Sequence, residues 1–408
     1  MLRIRVAIPA MDELAFLPVT LDALACQQTE HPFEVYVCVN QPDDYWDDPA
    51  RKVVCVQNQE LLRYLYQYDS LRLHVLDFSS PGKGWKGKRR GVGFARRVLF
   101  ERILSESSPE DLVVSLDADT WVGERYLHSL ARRFETDSVL NAIAVPYYHP
   151  VGKADEQQSR AMLRYEIYMR NYAINLLQIK SPYGFTALGS AIAMRAGALE
   201  KIGNITPLQS GEDFYLVQKF CKMGGLSLYN EERVYPSGRC SGRVPFGTGP
   251  AIAQGVNHQL SYPIYHHSVF QPIEDAYEHV DCLYRQSCAA SGNDFLQFLQ
   301  KGEAKPDIWA NIRSNVSDFD HFVKAFHQKA DGLRILQYVR ARQKQNMEHE
   351  AATLYDNIRT WDTESFPLEC PAWLNASLPL SAFSVSQLDE LRDILFRLED
   401  FLRIGYSQ

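Results

Sequence analysis

Asp117 and Asp119 stand one residue apart, directly after the apolar run Leu112 to Leu116 in D-L-V-V-S-L-D-A-D-T-W. On an extended backbone residues i and i+2 point the same way, so both carboxylates aim past the end of one strand. Two carboxylates held that close repel unless a cation separates them, and Mg2+ or Mn2+ prefers oxygen ligands from protein and phosphate together. The spacing therefore predicts a metal-diphosphate site. The plainer reading is that Asp119-Thr120 ends a strand and opens a turn.

Three further stretches bear on that choice. Ser79 to Arg97 is dense in glycine and positive charge, and Gly82 to Lys88 satisfies the phosphate-loop pattern G-x-x-x-x-G-K between a strand and a helix. Arg89 stands where the Mg2+-binding Ser or Thr belongs, and the strand before the loop is the third, not the first. Gly91-Val-Gly93 similarly falls short of a dinucleotide fingerprint because Arg96 replaces its third glycine. Anion contact at the sheet edge is the better reading, with Lys88 and Arg96 offsetting the charge of a diphosphate.

The second stretch is Ser210-Gly-Glu212-Asp213, ahead of the helical run Phe214, Val217, Phe220. Its spacing matches a helix capping box, and a carboxylate fixed and partly dehydrated at a helix start also suits a general base. The third, Ser237 to Gly249, carries Arg239 and Arg243 among glycines and could close over phosphates. Elsewhere Tyr165, Tyr168 and Tyr172 read as a packing face, and His258, His266 and His267 as structural.

The elements that must position these groups alternate. Leu2 to Ile8, stopped by Pro9, is the first strand; a helix through Leu14 and Leu24 follows, then strands Phe33 to Val39 and Leu71 to Phe78. Such strand, helix, strand units stack strands in parallel, and open parallel sheets bind ligands at their carboxyl ends, where Asn40 falls. Tyr229 to Pro236 reads as an edge strand. Beyond about residue 260 the strand pattern stops; the last helix starts at Ser386 with Asp389 and carries Leu388, Leu391, Leu395, Leu398 and Leu402 on one side. The expected division is residues 1–260, a catalytic domain, and residues 261–408, mainly helical.

At 408 residues, 46 % hydrophobic and 23 % charged, the chain is globular and long enough for more than one core. A net charge of −7 argues against nucleic acid as a partner. No apolar run approaches the ~20 residues of a membrane span, and residues 1–10 lack a signal-peptide pattern. The eight cysteines form no C-x-x-C pair. These features suit a cytoplasmic protein, with contact at the inner membrane face and a homodimer left open.

Taken together, the stretches resemble the family 2 glycosyltransferases of the GT-A nucleotide-sugar-binding fold, over residues 4–250. Ile8-Pro9 with Asp12-Glu13 is similar to the family's P-x-x-N-E segment, Gly91 to Arg97 to G-x-x-x-A-R-N, and Asp117-Ala-Asp119 to D-x-D. Gly189 to Arg195 is similar to the acceptor-side G-x-x-x-x-x-R strand and Glu212-Asp213 to the E-D motif. The resemblance implies an α/β fold, a mixed, mostly parallel sheet flanked by helices, with the helical region after it. It implies an inverting, non-processive transfer of a sugar from a nucleotide-diphosphate donor to an acceptor hydroxyl: a soluble glycan, a lipid-linked sugar or a small molecule. Asp117 and Asp119 would hold Mn2+ or Mg2+, Pro9, Glu13 and Asn40 would line the ribose or base, and Glu212, Arg239 and Arg243 would contact substrate. Asp213 would be the base. Asn40-Gln-Pro-Asp43-Asp44 departs from the family's D-D-G-S loop, which leaves the donor nucleotide open. The competing readings are a phosphate-loop nucleotide hydrolase and a nucleotide-sugar or glycan binder without turnover.

Overall fold

The computed structural model describes the chain except residues 89, 153–154, 240–247, 258–261, 288–289, 302, 304–306, 344–348, 362–365, 375–377 and 406–408. The described residues of 1–162 and 185–257 form a first compact unit, and those of 163–184 and 262–405 form a second.

In the first unit, β1 (Ile4–Ala10), β2 (Phe33–Asn40), β3 (Leu73–Phe78), β4 (Leu112–Ser115), β6 (Ala142–Ala144), β7 (Ile192–Arg195) and β8 (Leu226–Leu228) form one sheet in the order β3-β2-β1-β4-β7-β6-β8. β1 pairs in parallel with β2 and β4, β2 with β3, and β6 with β8, while β7 runs antiparallel to β4 and β6. This is the mixed, mostly parallel sheet that the family resemblance implied; the alternating pattern accounts for its parallel part. The helices α1 (Leu17–Ala25), α2 (Lys52–Gln67), α3 (Val92–Leu104), α4 (Tyr126–Thr136), α5 (Glu156–Gln178), α6 (Ala196–Lys201), α7 (Glu212–Met223) and α8 (Thr248–Val256) connect them. Buried parallel strands read as continuous apolar runs because both faces are covered, and every residue of β1 and β4 is buried.

The chain winds to one side of β1 through β2 and β3, then returns to lay β4 on the other side. That reversal makes the carboxyl ends of β1 and β4 the switch point, where an open sheet leaves a crevice for ligands. Asp12 and Glu13 follow β1, and Asp117 follows β4.

Two sequence expectations change here. Pro9 does not stop β1: it lies inside the strand opposite Cys38, and β1 continues to Ala10. A proline without an N–H is tolerated there because β4 pairs only with Ile4 to Ala7, so that edge of β1 needs no further donor. Tyr229 to Pro236 is not one edge strand. Only Val234–Pro236 (β9) is extended, and it pairs antiparallel with β5 (Thr120–Val122) in a separate two-stranded ribbon.

The second unit takes the later half of α5 and a succession of helices, the last spanning Val385–Ile404. Its interior contains ion pairs as well as apolar side chains. Arg170 is held between Glu166 (2.5 Å) and Glu399 (2.6 Å), all three nearly inaccessible to water. Tyr168 packs against Tyr262 with ring centroids 5.1 Å apart, in line with a packing role for the tyrosine face. The final helix is capped by Ser384 and Gln387, not Ser386 and Asp389: the Ser384 Oγ accepts the Gln387 N–H, and the Gln387 side chain accepts the Ser384 N–H. The capping pair therefore falls two residues earlier than the sequence suggested. No helix among the described residues is long and apolar enough to cross a membrane.

Candidate active site

Leu112 to Ser115 is extended because its buried, β-branched core suits a central strand, and the chain leaves it at Leu116 still buried. Burial then alternates: Ala118 and Thr120 point inward, while Asp117 and Asp119 are partly exposed. The strand ends at Ser115, and Asp117 to Thr120 is a turn closed by the Thr120 N–H donating to the Asp117 carbonyl (3.2 Å), so the plainer reading of a turn holds for the backbone and the i, i+2 rule of an extended chain does not apply. Thr20 of α1 fixes this turn by donating to the Ala118 carbonyl (2.9 Å).

The two acids are each met by an arginine. Arg96, on the first turns of α3 and only 3 % exposed, donates to Asp117 Oδ1, to Glu212 Oε1 and to the Ser115 Oγ (3.3 Å). Ser115 in turn donates to the Gly189 carbonyl at 2.6 Å. Gly189 lies so close to this guanidinium that a Cβ there would fall 2.0 Å from its Nη2. Burial opposes the charge on Arg96, but Asp117, Glu212 and Asp213 outweigh it and keep the guanidinium protonated. One side chain therefore gathers stretches that lie far apart in sequence: α3, the end of β4 and the start of α7.

Asp213 begins α7 beside Glu212. The expected capping box does not form: the N-cap is Gly211 with a φ of 76°, and the buried Ser210 hydroxyl has no hydrogen-bond partner among the described residues. Asp213 instead accepts from the Phe214 N–H through Oδ1 (2.8 Å). Its surface is still partly open to solvent, yet protein surrounds it closely enough to remove most of its hydration. That burial, with the negative charge of Glu212 beside it and Asp117 further off, pushes its carboxyl up to about 7, against the pull of Arg96 and the Phe214 N–H. A carboxyl that titrates near neutral pH at a reachable surface can take a proton from a substrate.

Asp119 Oδ2 accepts from Arg239 Nε (2.8 Å), and Arg239 also donates to Glu13 Oε1 (2.5 Å) while its guanidinium lies 3.9 Å from the centre of the Phe16 ring. Arg239, Glu13 and Asp119 thus form a second charged group at the same sheet edge. Asp12, just before Glu13, has a φ of 60° and donates its N–H to Asn58, a conformation that Asp and Asn tolerate better than most residues.

Of the other expected residues, Pro9, Glu212 and Asn40 are buried in the scaffold. Pro9 is buried within β1. Glu212 is 1 % exposed and spends its carboxylate on Arg96. Asn40 is buried, donates to the Ala10 (3.0 Å) and Cys38 (3.3 Å) carbonyls and accepts from the Trp85 indole (3.1 Å), so its amide is consumed by protein. Lys88 is exposed. Arg243 lies outside the described residues.

The glycine loop is not an open phosphate cradle. Asp43 Oδ1 accepts the N–H groups of Gly82 (2.9 Å) and Gly84 (3.3 Å), and Asp77 accepts those of Ser79 and Ser80 (both 3.0 Å). Gly84 packs so tightly on this turn that a Cβ would fall 2.7 Å from the Asp43 backbone. Trp85 closes it by stacking on Phe78 at 4.5 Å. Residue type flagged the glycines, but nothing in the pattern marked Trp85 and Asp43 as the pair that locks the loop.

The donor set suits a hard divalent cation only in part. Oxygen ligands are present, and the Asp117 side chain is 36 % exposed. Among the described residues, however, no three His, Cys, Asp or Glu side chains are grouped to hold a metal ion unaided. Mg2+ commonly takes one or two carboxylates and completes its shell with water and substrate phosphate. Asp117 and Asp119 offer oxygens of that kind, each held by an arginine.

No protein-family model matches the chain, and no curated protein matches it. Among solved structures it is similar to S. aureus TarS 1-349 in complex with UDP-GlcNAc, at 14 % identity over 100 % of this chain and 91 % of that one, with a TM-score of 0.41. It is also similar to glucosyl-3-phosphoglycerate synthase from Mycobacterium tuberculosis in complex with Mn2+, UDP and glucosyl-3-phosphoglycerate, at 16 % identity over 56 % of this chain and 69 % of that one, with a TM-score of 0.35. Likeness this distant assigns no role to any residue, and the reading of the crevice rests on its own side chains.

Proposed function

We propose that the chain is a glycosyltransferase that moves a sugar from a nucleotide-diphosphate donor to an acceptor hydroxyl in one inverting displacement, with Asp213 as general base. The observation that carries this reading is Asp213 itself. It is a carboxyl raised to about 7, beside a cluster in which Arg96 ties Asp117 to Glu212 at the switch point of the sheet. The motif resemblance supports the same chemistry.

In this mechanism the acceptor oxygen forms a bond to the sugar's anomeric carbon as the bond to the diphosphate oxygen breaks. The acceptor's proton passes to a carboxylate oxygen of Asp213, and the nucleoside diphosphate leaves. Mn2+ or Mg2+ held by Asp117 and Asp119 together with the donor would neutralise charge on that leaving group. Arg96 fixes Asp117 and Glu212 and keeps the Asp213 carboxyl from rising further. Arg239 and Lys88 add positive charge for the diphosphate.

A thermal-shift screen of UDP, GDP, CMP and their sugars, with and without Mn2+, tests the donor assignment, because a ligand bound by the native state raises the melting point by mass action. Asp213→Asn should then abolish turnover of the donor so identified while leaving its melting shift intact. The pairing of both acids with arginines also suits a nucleotide-sugar binder without turnover. That reading stands if a donor is bound but neither transferred nor hydrolysed.

A further inference from the structure

Three aromatic side chains from separate segments of the first unit lie together at the two-stranded ribbon that follows Asp119. β5 and β9 pair with Trp121 opposite Tyr235. Thr120, Val122, Val234 and Pro236 are buried, so the alternation of the ribbon leaves Trp121 and Tyr235 on its outer face, ring centroids 4.7 Å apart. On the other edge of β9, Tyr147 bridges to Val234 and the Tyr148 N–H donates to the Val234 carbonyl (3.0 Å). That pairing brings the Tyr148 ring edge-on to Tyr235 at 6.4 Å. Trp121 is 46 % exposed, and no other tryptophan among the described residues is so open to water.

We propose that this row is a stacking platform for the pyranose rings of a glycan acceptor, an assignment that rests on the transferase reading for the word acceptor. A pyranose offers a flat face of C–H groups to an aromatic ring and hydroxyls to water and to tyrosine, a match for side chains that are apolar in body and polar at the tip. The size of the patch favours this occupant over a folded protein. Three partly exposed rings present roughly 200 Å2, whereas a stable protein interface needs about 800 Å2 from each partner.

The patch is also continuous with the site. Asp119 immediately precedes β5, the Ser237 N–H donates to the Asp119 carbonyl (3.1 Å), and Arg239, which holds Asp119, follows β9 by three residues. A glycan lying along the ribbon would have its end guided towards Asp119.

The experiment uses the full chain and hexamers of β-1,4-glucose, α-1,4-glucose and β-1,4-N-acetylglucosamine, followed by the fluorescence of the protein's tryptophans and by calorimetry. Wild type should bind at least one hexamer without donor. Trp121→Ala and, as an independent variant, Tyr235→Ala should weaken that binding about tenfold or more, Trp121→Phe should retain it within about threefold, and all should keep the nucleotide melting shifts. Absence of hexamer binding by wild type, or equal binding by wild type and Trp121→Ala, overturns the proposal. A concentration-dependent dimer that Trp121→Ala dissolves, seen by sedimentation, also overturns it by making the row a protein interface. If no nucleotide sugar shifts the melting point while hexamer binding still depends on Trp121, the platform stands and the transferase reading falls.

Discussion

Arg96 of α3 donates to Glu212 at the start of α7, and neither residue has more than 3 % of its surface exposed. A buried pair of this kind gives little net stability over an apolar pair, but breaking it is expensive because the surviving charge stays buried. Arg96→Ala should therefore cost about 3–5 kcal/mol in urea unfolding. Arg96→Lys should recover only part of the loss, since an ammonium cannot fork between Asp117 and Glu212 as a guanidinium does.

The elevated Asp213 carboxyl gives a pH profile with a definite sign. A base must be deprotonated, so turnover should rise through about pH 7 and level off above it. Stability should move the opposite way. The native state holds this proton more tightly than the unfolded chain, so the Asp213 contribution to stability falls as pH rises from about 4 to about 7. Asp213→Asn, which keeps the oxygen facing the Phe214 N–H, should melt a few degrees higher than wild type at pH 8 and at the same temperature below pH 4. Melting curves across that range check it.

Gly189 leaves no room for a methyl group beside Arg96. The far end of a long side chain could ordinarily yield, but this guanidinium is fixed by Ser115, Asp117 and Glu212. Gly189→Ala should cost about 1–3 kcal/mol. By displacing the cation that holds Asp213 down, it should also shift the midpoint of the turnover profile to higher pH. An unchanged midpoint would separate Gly189 from the electrostatics of the base.

Arg239 places a cation between Asp119 and Glu13. Arg239→Ala takes away a cation that both acids share, so Mn2+ binding without nucleotide, followed by electron paramagnetic resonance, should tighten severalfold. The Kd for a nucleoside diphosphate should rise if Arg239 also meets phosphate. Chelation should reverse the first effect.

The legibility of the fold in the sequence followed from periodicity. Apolar runs fixed β1, β2 and β4 because buried parallel strands have no polar face to confuse them, whereas the i, i+2 rule for Asp117 and Asp119 presumed an extended chain where the backbone turns. The errors came from contacts distant in sequence. Pro9 looked like a terminator because nothing local reveals that β4 stops pairing at Ala7. Ser210 looked like a cap, yet Gly211 turned the chain left-handed instead. Asn40 and Glu212 carried polar groups suited to a ligand, but Trp85 and Arg96 claim them, and those partners lie 45 and 116 positions away. Polar residue type shows that a group can bond; only the tertiary arrangement decides with whom.

Asp43 fills the turn of the glycine loop with the protein's own negative charge. The loop is thus preassembled around an internal carboxylate, and inorganic phosphate or a nucleoside triphosphate would have to evict that group to enter. Millimolar orthophosphate should accordingly leave the melting point where it is.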